Sequence, residues 1–346
     1  MSPADPGRPV LVTGGAGFIG SYIVRDLLDH GYDVIVLDAA PLGLVSRFII
    51  GPASETIPFV QASIQDAESI AQAFAVHKPG AVIHVASVMD LAYLDAHPMT
   101  AFDVNVRGAM NVLEAARIRD VSRVVCFSSI SVVPQPLYQP IDANHATIQA
   151  SAGPQGMYGA AKLSIEAFSA AYTEVFGLDT RILRPSAAYG FGMSWAAANY
   201  MKQIVEPAVV GRAVDLSHGG PVPRDYTHAS DIARLTTSIL EGPDDADRVF
   251  FGATGEPLRT ASQVAALVRE LIPGSAVSIA DRWGQEDLIE KTFRGLLSID
   301  NARQQLGWSP KFADLRAGIA EYIDSLRRFI AAGNQLDLPP DEGRAC

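Results

Sequence analysis

The sequence predicts an α/β protein: a doubly wound, parallel-sheet domain followed by a smaller, mixed α/β domain. Three observations carry this. Short, near-continuous apolar runs alternate with stretches of 3.6-residue periodicity through the first half. The first run passes straight into a glycine-rich turn and then a helix. After Pro185 the alternation gives way to a segment punctuated by Gly190, Gly192, Gly211, Gly219, Gly220, Pro221 and Pro223.

Taken in order, Val10–Thr13, Val34–Leu37, Phe59–Gln61, Ala81–Val85, Arg123–Ser128 and Thr180–Leu183 read as strands. Phe18–His30, Ala67–His77, Ala101–Asp120 and Met157–Phe176 read as the helices between them. Right-handed crossovers then place helices on both faces of the sheet. Ser186–Arg224 reads as loop-rich, a composition suited to shaping a pocket. Val249–Phe251 reads as one more strand, and Thr260–Leu271 and Ala313–Ile330 as amphipathic helices.

At 346 residues the chain is long enough for one large domain or two closely packed ones. A net charge of −11 argues against a broad basic surface for nucleic acid or anionic membrane. Cys126 and Cys346 are the only cysteines, so no disulfide framework is expected; Cys126 reads as a buried strand residue. Met1–Pro9 lacks an apolar stretch, and no later run is long enough to span a membrane; the expected location is the cytoplasm. His218 and His228 lack metal-ligand spacing, so no metal site is expected. His84 reads as a core histidine, and Trp195, Trp283 and Trp308 as packing residues, with Trp195 in the pocket segment.

Gly14, Gly17 and Gly20 are spaced three apart between the first strand and its helix. The first allows a tight turn, the second lets a pyrophosphate approach the backbone, and the third lets helix and strand pack closely. Free N–H groups at the helix start favour the anion. Asp38 ends the second strand 18 residues after Gly20, where a carboxylate can bind both hydroxyls of a ribose. Ala39 and Ala40 offer no cation for a 2′-phosphate, so NAD is favoured over NADP on a Rossmann-type domain.

Tyr158 and Lys162 are four residues apart at the start of a helical stretch, which places a phenol and an ammonium on one face. A free phenol near pKa ~10 is a poor base. An ammonium and the positive nicotinamide ring both favour phenolate, as an acid/base for alcohol oxidation requires. The strand Arg123–Ser128 ends in Ser128-Ser129, which offers a hydroxyl to orient a substrate oxygen.

As a set, Val12–Gly20, Asp38, Asp66, His84–Ser87, Asn105–Gly108, Phe127–Ser129, Tyr158–Lys162, Arg184-Pro185, Tyr189-Gly190, Arg224–His228, Asp231–Ala233 and Leu306–Trp308 resemble the extended short-chain dehydrogenase/reductase group, the NAD-dependent epimerase/dehydratase family. The resemblance covers roughly residues 9 to 325. It implies that Gly14, Gly17, Phe18, Ile19 and Gly20 hold the pyrophosphate and Asp38 the adenosine ribose. It implies that Ile64 and Asp66 border the adenine, and that Ala86, Ser87 and Asn105 line the path to the nicotinamide. Ser129, Tyr158 and Lys162 become the catalytic set, with Lys162 also on the nicotinamide ribose and Ser131 the weaker serine candidate. Residues 1–185, with a return segment at 225–255, become the NAD-binding domain, and 186–335 mainly the substrate-binding domain.

The chain also departs from the family pattern. Val133-Pro134 stands in place of a Tyr-Gly, and Ile130-Ser131 in place of the acid pair of the family's dehydratases, which speaks against dehydration. Asn199 and Arg224 match positions that contact a sugar nucleotide's phosphates, and a guanidinium suits that geometry. A late Arg-x-Gly-Asp motif is not clear: Arg282–Asp287 echoes it loosely, and Arg294 is either its substitute or a salt-bridge partner. The leading expectation is an NAD-dependent epimerase of a sugar or nucleotide sugar, which oxidises a hydroxyl transiently and returns the hydride. The alternatives are a dehydrogenase with net NADH turnover and a redox-sensing binding module. A homodimer is the family-based expectation, through Ala101–Asp120 and the Tyr158 helix; Phe102, Val106, Ala109, Met110 and Leu113 supply apolar spacing, which burial within one subunit would equally produce.

Overall fold

β-branched side chains at Val10, Val12, Val34, Ile35 and Val36 favour extended backbone, and these runs are buried on both faces. A computed structural model, which describes residues 7–150, 153–195 and 199–339, assembles them into one seven-stranded sheet. The strands are β1 (Val10–Thr13), β2 (Val34–Asp38), β3 (Phe59–Gln61), β4 (Ala81–His84), β5 (Arg123–Phe127), β6 (Asp179–Pro185) and β7 (Val249–Gly252). Every pairing is parallel, in the order β7-β6-β5-β4-β1-β2-β3. Winding reverses between β1 and β4, and a sheet of this kind opens a crevice at that point, outside the carboxyl ends of its strands.

Five helices cover the sheet: α1 (Phe18–Asp29), α2 (Ala67–His77), α3 (Gly108–Ile118), α4 (Gly156–Phe176) and α5 (Ala229–Glu241). Helix α1 packs along α5 on one face, and α3 packs against α2 and α4 on the other. Each face has its own core, one around Ile23, Leu27, Leu235 and Trp308, the other around Phe74, Val112, Leu113 and Ile165. A further core, which includes Tyr189, Ile204, Val264, Tyr322 and Phe329, lies in the segments after β6.

Two expectations from the sequence need correction. The helix expected over Ala101–Asp120 is α-helical only from Gly108, because Ala101–Arg107 is wound as a π-helix. The wider turn accompanies an inward Asn105, whose amide bonds both the N–H and the C=O of Val88 at 2.8 and 2.9 Å. The loop-rich stretch Ser186–Arg224 holds more order than glycine and proline suggest. It contains a helix over Tyr200–Val209, capped by the Asn199 side chain on the Lys202 N–H, with Met201, Ile204, Val205 and Ala208 turned inward. Its strands Ala187–Tyr189 and Val214–Leu216 pair with Tyr226–His228 and Val277–Ile279, partners too distant in sequence to show as a local pattern. The later helices form over Ala261–Leu271 and Leu315–Ala331, capped by Thr260 and Asp314.

Cys126 is buried in β5, where burial pushes its thiol up to about 11. Cys346, Met1–Pro6 and the tail from Pro340 lie outside the described residues. Among the described residues no helix is long and apolar enough to cross a membrane, and no group of three or more His, Cys, Asp or Glu could hold a metal ion.

Candidate active site

A cavity of about 830 Å³ runs along the carboxyl edge of the sheet. Its lining follows the ends of β2 (Asp38), β1 (Gly14), β4 (Ala86, Ser87), β5 (Ser128, Ser129) and β6 (Pro185), in the order those strands lie side by side. Phe18, Ile19 and Gly20 at the start of α1 and Ile64 after β3 join this lining. Beyond β6 the wall is completed by Met193, Asn199, Arg224, Leu258 and Arg294.

The glycine turn fits a bound pyrophosphate. Gly14 has φ +73, and a Cβ there would lie 2.6 Å from the Ala86 nitrogen. A Cβ on Gly20 would lie 2.0 Å from the Gly14 carbonyl oxygen. Any side chain at either position therefore breaks the close approach of strand, turn and helix. Gly17 caps α1 with no side-chain bond, so the first N–H groups of the helix stay open to an anion. The Asp38 carboxylate accepts from the N–H groups of Ala16 (3.0 Å) and Ala40 (3.1 Å), which fixes it beside the turn.

Two predicted residues do not reach the cavity. Asp66 caps α2, taking the N–H groups of Glu68 and Ser69 and the Ser69 hydroxyl. Asn105 is fully buried and clamps Val88. Both support neighbours that do line it: Ile64 lies just before Asp66, and Val88 is itself a wall residue. Trp195 also lies off the cavity, its indole donating to the Asp337 carbonyl at 2.6 Å. His84 is buried, paired with the Thr13 hydroxyl at 2.8 Å and pushed down to about 3 by burial and by Lys162, so it is a neutral core group.

Ser129, Tyr158 and Lys162 all line the cavity and are almost wholly buried. The Lys162 ammonium donates to the Phe127 carbonyl at 2.8 Å and sits 5.6 Å from the centre of the Tyr158 ring. Burial pushes the phenol up to about 12, with the Ser129 hydroxyl pulling the other way. Burial pulls the ammonium down to about 8. In the protein alone the phenol is therefore protonated at neutral pH, and it becomes a base only when a further positive charge lies close by. Ser129 Oγ accepts from the Ser131 N–H at 3.1 Å, which leaves its own hydrogen free to donate. Ser131 also lines the cavity, and its backbone N–H is the donor in that bond.

One partner was not legible in the sequence. Glu166, one turn beyond Lys162, accepts from the Ser128 hydroxyl at 2.5 Å and pairs bidentately with Arg184 at 2.8 and 2.7 Å. Together with the Lys162–Phe127 bond, this ties α4 to the end of β5 at two successive residues. Its spacing of four from Lys162 puts it on the same helical face, which was the available signal.

Beyond β6, Asn199 is held by its own helix and by the Ala188 carbonyl, which takes the amide N–H at 3.2 Å. Arg224 and Arg294 share Glu290, each donating an Nη2 hydrogen to the same carboxylate oxygen at 3.0 Å. Arg224 Nε and Arg294 Nη1 are buried and have no hydrogen-bond partner among the described residues. Two guanidiniums on one wall suit a phosphate-bearing ligand.

The chain is 29% identical over 321 residues to the UDP-glucose 4-epimerase of Mycolicibacterium smegmatis, covering 92% of this chain and 98% of that protein. It superposes on the Thermotoga maritima UDP-glucose 4-epimerase solved with UDP-glucose, with a TM-score of 0.81, 26% identity and coverage of 93% and 99%. It superposes on the Thermus thermophilus UDP-glucose 4-epimerase solved with NAD, with a TM-score of 0.74, 27% identity and coverage of 92% and 99%. The sequence pattern described as "NAD dependent epimerase/dehydratase family" matches residues 10–250, and the chain belongs to that family of NAD-dependent enzymes.

Proposed function

We propose that the chain is a 4-epimerase of a UDP-linked sugar, with Ser129, Tyr158 and Lys162 as its catalytic set. The observation that carries this is one cavity lined both by the Tyr158–Lys162 pair and by the paired guanidiniums of Arg224 and Arg294. A sugar seated at Tyr158 can then extend its diphosphate to the arginines, with Asn199 on the same wall. Residues 1–185 with 225–255 hold the cofactor, with the adenosine ribose on Asp38 and the adenine against Ile64, and 186–335 mainly hold the substrate.

NAD⁺, when bound, supplies a positive ring and takes up and returns a hydride. The protein's own groups handle the proton. Ser129 donates its hydrogen to the substrate oxygen and orients it. Tyr158 Oη, ionised under the joint influence of Lys162 and the bound cofactor, removes the hydroxyl proton and gives it back after the sugar has turned. Lys162 donates to the Phe127 carbonyl, and that bond fixes its position. Ile130 and Ser131 supply no carboxyl groups beside Ser129, so water elimination has no acid/base pair here.

Incubation with UDP-galactose or UDP-glucose without added NAD tests the reading. Interconversion with no accumulation of NADH supports it; stoichiometric NADH absorbance points to a dehydrogenase instead. Phe102, Ile118, Phe168, Val175 and Phe176 remain exposed on the π-helix and on α3 and α4, and we assign them to a homodimer interface. Val106, Ala109 and Leu113 are buried within the subunit. A monomer by light scattering at micromolar concentration would remove that assignment.

A further inference from the structure

The two guanidiniums on the cavity wall share a carboxylate that stands behind them. Arg224 and Arg294 line the cavity, whereas Glu290 is absent from its lining. Glu290 Oε1 receives both Nη2 donors, and Oε2 receives the Arg294 Nε hydrogen. The three side chains are 21%, 14% and 9% exposed, so their charges are poorly screened. Two cations against one anion leave one net positive charge. Of the donors not engaged by Glu290, Arg224 Nε and Arg294 Nη1 are buried and have no partner among the described residues.

We propose that Glu290 sets the affinity of this subsite. It fixes the orientation of both guanidiniums and cancels one of their charges, so that a diphosphate is held firmly enough to be aligned and weakly enough to leave. The proposal rests on the reading of Arg224 and Arg294 as a diphosphate subsite and adds a role for a residue outside the cavity. A diphosphate is remote from the inverted hydroxyl and is gripped equally in substrate, transition state and product. Additional attraction there would deepen all three alike and slow release without aiding the chemistry. Removal of the carboxylate's charge therefore strengthens binding and does not accelerate turnover.

Glu290→Gln keeps the length of the side chain and one carbonyl oxygen for the two Nη2 donors, and deletes only the charge. Calorimetry on the NAD-loaded enzyme compares UDP with uridine for the native protein, Glu290→Gln and Arg224→Ala. The expected result for Glu290→Gln is UDP binding tighter by about tenfold, uridine binding unchanged, KM lowered and kcat unchanged or lower. Glu290→Met, neutral and of similar length, carries the same expectation for UDP should the Gln variant fail to fold. UDP binding that is unchanged or weaker in the neutral variants, while Arg224→Ala weakens it, overturns the role of Glu290 and leaves the subsite standing. Arg224→Ala with native UDP affinity overturns the subsite itself, and the proposal falls with it. A merely structural Glu290 would never give tighter UDP binding on its removal.

Discussion

Replacing Lys162 by Met tests the electrostatic core of the mechanism. The ammonium lies 5.6 Å from the centre of the Tyr158 ring, buried with it. At an effective dielectric of ~20, a unit charge at that range is worth about 3 kcal/mol, or about two pH units on the phenol. The sign follows from the roles: the active base is the phenolate, which increases as pH rises, and loss of the cation moves that rise to higher pH. Near neutral pH, kcat/KM of Lys162→Met should fall about a hundredfold. The deficit should shrink at higher pH, because the native ammonium, pulled down to about 8 by burial, loses its own charge there. The assay is the initial rate of UDP-galactose conversion across pH at saturating NAD, with NAD affinity measured separately to remove any binding defect. A pH profile for the variant that superimposes on the native one, at any absolute rate, refutes the argument.

Other perturbations follow from the same geometry. Glu166→Ala leaves the Arg184 guanidinium, whose side chain is 4% exposed, without its bidentate partner; unfolding in urea should show a loss of about 3–5 kcal/mol. Gly20→Ala forces a Cβ to 2.0 Å from the Gly14 carbonyl, and the variant should lose measurable NAD binding by calorimetry or fail to fold. Asp38→Ala removes the carboxylate at the end of β2 and should weaken NAD binding about tenfold while narrowing the preference for NAD over NADP, as read by competition binding. Cys126, buried with its thiol pushed up to about 11, should resist iodoacetamide at pH ~8 in the folded protein and react on unfolding, by peptide mapping.

The strands, the glycine turn and the Tyr158–Lys162 pair could be read because each is a local pattern: an apolar run, a spacing of three, a spacing of four. Asp38 followed from its position at a strand end, and the choice of Ser129 from the family resemblance. What stayed hidden depends on long-range pairing. Glu166 looks like an ordinary charge on an amphipathic helix until Ser128 and Arg184 are brought to it, 38 and 18 residues away. Glu290 likewise needs Arg224 from 66 residues away. Asp66 and Asn105 show the converse. Their residue types suit a ligand contact, but Asp66, placed just before its helix, caps α2, and Asn105 takes up the backbone groups of Val88, a demand that no sequence pattern announces.

The double tether between α4 and the end of β5 has a consequence for how this enzyme can change. Lys162 to Phe127 and Glu166 to Ser128 register one helix against one strand like two pegs in adjacent holes, so the groups proposed to react keep their alignment whatever happens downstream. The far wall is made of separate segments that share none of those pegs: Met193, Asn199, Arg224, Leu258 and Arg294. On the proposed function, exchanging those segments for others should therefore change which sugar is accepted while the proposed catalytic groups stay in place.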